Sequence, residues 1–218
     1  MRVLAFDTAL PACSAALFDG DRLLAQQNAA MPRGQAERLV PMIEAVRDEA
    51  GLDLADIDLI CVTVGPGTFT GVRIGIAAAR GLALATGAPV LGQTTCEAVA
   101  ANVATFGEDP ILVAMDARRG EVYVQAFGPG PATAPPVLRP WDDIGDMAPP
   151  SGGLVVGSAA EQVLPLLPGV RLGDVSPLPS AACFGRFAAR RFADARPGPK
   201  LTPLYLRAPD ARLPGAGA

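Results

Sequence analysis

The stretch Gly65-Pro66-Gly67-Thr68-Phe69-Thr70-Gly71-Val72-Arg73 holds the residue types that phosphate recognition needs. It joins an apolar strand-like run to an apolar helical stretch. A glycine-rich turn feeding a helix N-terminus offers an anion free backbone N–H groups and the positive end of the helix dipole. Thr68 and Thr70 add hydroxyls, and Arg73, one turn in, adds charge. The pattern is not a Walker loop, lacking GK[ST], and not a dinucleotide fingerprint, its third glycine falling one position late. The competing reading is a tight turn whose glycines only let helix and sheet approach closely. Asp7 and Thr8 end the first strand-like run. A carboxylate there either holds Mg²⁺ through water or caps a turn. Asp116, Arg118, Arg119 and Glu121, in MDARRGEVY, stand at the matching place later in the chain. They are either phosphate-facing groups or an ordinary charged turn.

Other chemistry is limited by what the 218-residue chain lacks. It has no histidine, which removes imidazole metal ligands, Ser-His-Asp triads and Cys-His dyads. Lys200, the single lysine, stands in a Pro-rich tail and is a poor base for any nucleophile. Cys13, Cys61, Cys96 and Cys183 form no CxxC pair and read as reduced thiols. These residues give no support for covalent hydrolysis, and no metal site is expected. A net charge of −4 with 5% aromatic residues argues against a basic or base-stacking nucleic-acid surface. Half of the residues are hydrophobic and 18% are charged, which excludes a disordered chain. The first apolar run stops at Asp7, too short for a signal-peptide core. The most apolar window, 74–92, contains Arg80, Pro89 and four glycines, so no membrane span is expected. The expected location is the cytoplasm.

These residues need elements to hold them. Residues 3–7, 14–18 and 22–26 read as three antiparallel strands, with Asp19-Gly20 as the tight turn between the last two. Residues 35–50 read as a helix stopped by Gly51. Leu39, Val40, Ile43, Val46 and Ala50 share one face, and Pro41 kinks the helix or marks its first turn. A continuous apolar strand over 59–64, a helix over 70–86, a strand over 89–92 and a helix over 94–105 follow. The order βββαβαβα is that of ribonuclease-H-like folds. A shorter copy restarts with strands at 111–116 and 121–127. It continues through an irregular Pro- and Gly-rich excursion over 129–150, a strand at 154–156, helices over 159–166 and 180–195, and an extended tail from Arg196. The expected fold is α/β: two ribonuclease-H-like lobes of the actin, Hsp70 and sugar-kinase type, each a mixed five-stranded sheet. The lobes are 1–107 and a reduced 108–218, with Gly157-Ser158 a thin remnant of an adenosine pocket.

The helix over 70–86 carries only Arg73 and Arg80 as charges and is otherwise apolar or small all round. Gly71, Gly75 and Ala79, four apart, would let another helix approach closely. Burial on two sides is predicted, against the sheet beneath and against a partner above. The covering element is either a second chain or another part of this one.

LAFDTALPACSAAL, RGQAERLVPMI, VGPGTFTGVRIGIAAARGLALATGAPVLG, MDARRGEVYV and PLYLRAPDA, in this order from residue 3 to about 211, together resemble the TsaB family. The resemblance implies a non-catalytic pairing subunit of the bacterial machinery making N6-threonylcarbamoyladenosine at position 37 of tRNAs that read ANN codons. The implied partners are a TsaD-type catalytic subunit and a TsaE-type ATPase. A homodimer forms through the same surface in isolation, tRNA is met only through the complex, and no membrane is involved. The implied interface comprises Leu39, Ile43, Gly71, Arg73, Gly75, Ile76, Ala79 and Arg80. The implied phosphate-facing residues are Asp7, Thr8, Gly65, Gly67, Thr68, Thr70, Gly71, Asp116 and Arg118. No cofactor is held tightly, and ATP or ADP with Mg²⁺ enters within the complex; whether the chain also binds nucleotide alone is left open by the sequence. Thr95 and Val99 stand where the catalytic sibling has two metal-binding histidines, and Gln35 where many relatives have a histidine. The alternatives are a metal-independent small-molecule kinase or ATPase of the same superfamily, and a glycoprotease-like peptidase, which the absence of histidine disfavours.

Overall fold

The first sheet starts as an antiparallel meander of Arg2–Asp7 (β1), Ala12–Asp19 (β2) and Arg22–Ala30 (β3) in the computed structural model. Residues 1–106, 108–128, 134–150, 152–188, 190, 192 and 201–207 are described. Gly20, at φ 59°, supplies the left-handed residue of the β2–β3 turn. β1 and β2 are covered on both faces and are buried almost throughout, whereas β3 at the sheet edge is partly exposed. Gln35–Ala50 (α1) leads to Leu59–Thr63 (β4), which pairs parallel with β1. Phe69–Thr86 (α2) then leads to Val90–Gln93 (β5), parallel to β4. The spatial order β3-β2-β1-β4-β5 is the ribonuclease-H-like arrangement.

Pro41 neither starts nor ends α1. It lies inside the helix on its exposed side, where the freed carbonyl can meet water. The buried face is Leu39, Met42, Ile43 and Val46, while Val40 is 54% exposed.

Thr95–Ala100 (α3) passes to the second sheet, and every residue of it is buried. Ala98 packs with the first sheet's residues Val3, Ala5 and Cys61, while Cys96, Val99 and Ala100 pack with Ile111, Val113 and Met115 of the second. A helix enclosed between two sheets has no polar face to show. It ends earlier than its expected reach to 105, where the Asn102 amide turns away to donate to the carbonyls of Ser176 (2.9 Å) and Leu178 (2.8 Å).

Ile111–Arg118 (β6), Glu121–Phe127 (β7), Val137–Pro140 (β8), Leu154–Val156 (β9) and Arg171–Leu172 (β10) repeat the topology in the order β10-β9-β6-β7-β8. The crossover helices have shrunk. Ala160–Val163 (α4) has 4 residues where α2 has 18. Among the described residues only a 3-10 turn, Gly145–Met147, lies between β8 and β9. The stretch expected to be irregular over 129–150 contains β8, whose four residues at the sheet edge are too few to show an alternating pattern. Residues 129–133 lie outside the described residues.

The expected helix over 180–195 is described as Ala181–Phe184 (α5) and a 3-10 turn, Gly185–Phe187; much of the rest lies outside the described residues. Assigning everything after 108 to the second lobe needs correction. Ala181, Phe184 and Ala188 pack with Val3, Ala5, Ala16 and Phe18 of the first sheet. These small and aromatic faces fill the side of that sheet opposite α1 and α2.

Candidate functional site

The ends of β1, β4 and β5 and the N-termini of α2 and α3 meet at one edge of the first sheet. Register brings Ser14, Asp7, Thr63 and Gln93 side by side across four strands, each no more than 3% exposed. The Thr63 hydroxyl and the Ala9 N–H donate to Asp7 Oδ1 at 2.5 and 3.1 Å. Asp7 Oδ2, Gln93 Oε1 and Thr95 Oγ1 are buried without a partner. Burial raises the Asp7 carboxyl from its ordinary 3.8 to about 6, against the opposing pull of the Thr63, Ala9 and Thr8 hydrogen bonds. Ser14 Oγ accepts from the Ala181 N–H at 3.1 Å. Burial likewise raises the thiols of Cys13, to about 11, and Cys96, which keeps both protonated.

The glycine-rich turn is pressed onto the chain leaving β1. The Thr68 N–H donates to the Ala9 carbonyl (2.8 Å), and the Thr8 hydroxyl donates to the Gly71 carbonyl (2.7 Å). Thr68 Oγ1 caps α2 by accepting from the Gly71 N–H at 3.1 Å. A Cβ at Gly67 would overlap the Ala9 carbonyl oxygen, and one at Gly71 the Thr8 carbonyl oxygen. On the other side the Leu204 carbonyl oxygen lies 2.6 Å from where a Gly65 Cβ would sit. The N–H groups of Thr68 and Gly71 and the Thr8 hydroxyl are thus committed within the fold, and Thr70 is left exposed beside them. Gly67 and Gly71 serve the close approach of this turn to the Thr8–Ala9 backbone.

In the second lobe, Asp116 and Arg118 are exposed on the β6–β7 hairpin. The Asp116 carboxylate accepts from the Arg118 N–H at 2.7 Å, so it caps the turn. The Asp116 N–H donates to Ser158 Oγ at 3.0 Å. A cleft of about 530 Å³ opens beside Gly157 and Ser158, but its charged lining residues are Glu161 and Asp174, which do not suit a polyphosphate.

The stripe of small residues on α2 points inward, a correction to its expected role. Gly71, Gly75 and Ala79, with Ile76, are buried against the chain's own sheet, the Thr8–Ala9 loop and Leu201. A Cβ on Gly75 would meet Thr8 Oγ1 at 2.9 Å and Val62 Cγ2 at 3.2 Å. Leu39 and Ile43 are buried on α1 in the same core. These six residues cannot form an outward interface, because helix and sheet already bury them. Arg73 and Arg80 do lie on the outward face. With them stand Phe69 (55% exposed), Ala77, Gly81 and Leu84 (90% exposed), three or four residues apart, as one stripe requires.

Residues 29–134 match the family described as TsaD: tRNA N6-adenosine threonylcarbamoyltransferase. The uncharacterized Mycobacterium tuberculosis (strain H37Rv) protein Rv3421c is 38% identical over 213 residues, 96% of this chain and 93% of that protein. The Escherichia coli tRNA threonylcarbamoyladenosine biosynthesis protein TsaB is 42% identical over 124 residues, 56% of this chain and 53% of that protein. The solved structure of YeaZ from Pseudomonas aeruginosa matches with a TM-score of 0.83 and 31% identity, covering 94% of this chain and 99% of that one.

The chain belongs to the TsaB family.

In this TsaB-family chain Thr95 and Val99 are fully buried on α3. Gln35 instead donates from its amide to the Met31 carbonyl at 3.2 Å. Among the described residues no three His, Cys, Asp or Glu side chains converge as a metal site would need, and no helix is long and apolar enough to cross a membrane. Sequence reasoning missed the Ser14–Asp7–Thr63–Gln93 row. Its only signal was a polar residue in or at the end of an apolar strand, repeated four times.

Proposed function

We propose that this chain is the non-catalytic pairing subunit in N6-threonylcarbamoylation of adenosine 37 of tRNA. It holds a TsaD-type catalytic subunit, with a TsaE-type ATPase joining the pair and tRNA met only through the assembly. The observation that carries this reading is the outward face of α2. Four of the eight large hydrophobics exposed among the described residues, Val40, Phe69, Leu84 and Tyr205, lie on α1, α2 and the segment beside them. A concentration of apolar surface of this kind marks an association site. The names of the TsaB relatives and the TsaD-family match support the pathway. In isolation the same face pairs two copies about a two-fold axis. The isolated chain holds no cofactor tightly, and ATP or ADP with Mg²⁺ is engaged only where the partner supplies donors. The chain works in the cytoplasm, where its partners and tRNA are.

Omission from a reconstituted reaction tests this. Catalytic subunit, ATPase, threonylcarbamoyl-adenylate and tRNA are expected to give little modification until this chain is added. This chain alone is expected to give none. Modification by the lone chain, or full activity without it, would overturn the proposal.

A further inference from the structure

Residues 201–207 make contacts with both lobes. On the first lobe, Leu201 packs with Ala9, Val64, Val72 and Ile76, and its carbonyl accepts from the Arg80 guanidinium. The Leu204 N–H donates to the Val64 carbonyl at 2.7 Å. Tyr205 stacks on Phe69 with ring centroids 5.4 Å apart. The Arg73 guanidinium covers the Phe69 ring at 3.4 Å and reaches the Tyr205 ring at 5.7 Å. Two residues on, Arg207 grips the other lobe. Its guanidinium donates to the carbonyls of Ala117 (2.9 Å) and Arg118 (3.3 Å) and pairs with the Glu121 carboxylate. These groups belong to the β6–β7 turn, where Arg118 and Arg119 take φ of 62° and 61°. The Glu121 carbonyl in turn accepts from the Trp141 indole at 2.8 Å.

We infer that this strap is part of the pairing surface and couples its occupation to the second lobe. Tyr205, 43% exposed, widens the apolar stripe of α2 beside Phe69. It is anchored from the second lobe as well as from α2, because an extended chain spans only about 7 Å between Tyr205 and Arg207. A partner that presses on Tyr205 therefore pulls on the β6–β7 turn. α2 carries Arg73 and Arg80 and no acidic residue, while Arg207 of the strap is already paired with Glu121. The surface thus fits an apolar helical face bearing carboxylates, and the occupant is the TsaD-type catalytic subunit. The inference rests on the pairing reading above and adds a route by which pairing reaches the second lobe.

Trp141 is the chain's single tryptophan, so 5-fluorotryptophan labelling of the full chain gives one ¹⁹F reporter at the β6–β7 turn. The unlabelled catalytic subunit is titrated in, and affinity and resonance position are read together. The wild-type resonance is expected to shift saturably. Arg207→Ala is expected to weaken binding at least tenfold and to leave the resonance unmoved at saturation. Tyr205→Ala, an exposed change that spares the fold, is expected to weaken binding to a similar degree and carries the test if Arg207→Ala misfolds. Leu84→Asp separates the two ideas. If Leu84→Asp abolishes binding while Arg207→Ala and Tyr205→Ala bind as wild type, the strap inference is wrong and the pairing reading stands. If Leu84→Asp also binds as wild type, the pairing reading fails, and the strap inference with it.

Discussion

At the scale of single residues, Asp7 shows most clearly what this edge of the sheet has become. It is fully buried, with one oxygen satisfied and one not. Its folded pKa of about 6 lies above the ordinary 3.8. The protonated form is therefore favoured by folding. Stability that is fully present below pH 4 is lost as pH rises through 6, by about 3 kcal/mol at pH 8. Asp7→Asn keeps an Oδ1 acceptor for Thr63 and Ala9 and removes the charge. It is expected to melt higher than wild type at pH 8, with the gap closing towards pH 4; a gap independent of pH would contradict the burial argument. Gly71 makes a second residue-scale case. A Cβ there overlaps the Thr8 carbonyl oxygen, a backbone atom that cannot swing aside. Gly71→Ala is expected to destabilise by about 3 kcal/mol, read from urea unfolding. An unchanged midpoint would show that the turn is looser than this. The sequence named both residues but left open whether they bind phosphate or pack. That depends on which donors the chain itself takes up, and local spacing does not show this.

At the scale of elements, the strands of the first sheet and both long helices were legible, because apolar runs and helical periods arise from the burial they report. β8 and β10, of four and two residues, were not, since alternation needs a longer run. The orientation of α2 was also not legible. Small residues every fourth position mean close approach, but not to what; here the neighbour is the chain's own β4 and the Thr8 loop. The consequence is testable. Gly75→Arg is expected to abolish folding, seen as loss of the cooperative melt by circular dichroism, because its side chain would enter the contact with Thr8 and Val62. Leu84→Asp, at a position 90% exposed, is expected to change stability by no more than about 0.5 kcal/mol. If Gly75→Arg folds normally, the inward assignment of the stripe is wrong.

At the scale of the whole molecule, the two sheets share one topology but not one construction. The first retains full crossover helices and an outward face; the second retains strands and short turns. α3 lies buried between them, and the Thr94 hydroxyl donates to Gln125 Oε1 of the second sheet at 3.0 Å. The duplicated strand order was legible from the repeat of apolar runs. The return of α5 to the first sheet was not, since nothing in an Ala- and Phe-rich helix names the sheet it covers. The most direct measurement is the rate of tRNA modification by catalytic subunit and ATPase as this chain is titrated in, wild type against Leu84→Asp. Wild type is expected to activate saturably at one chain per catalytic subunit, and Leu84→Asp to need at least a hundredfold more while melting as wild type does. Equal activation by the two chains would contradict pairing through the outward face of α2.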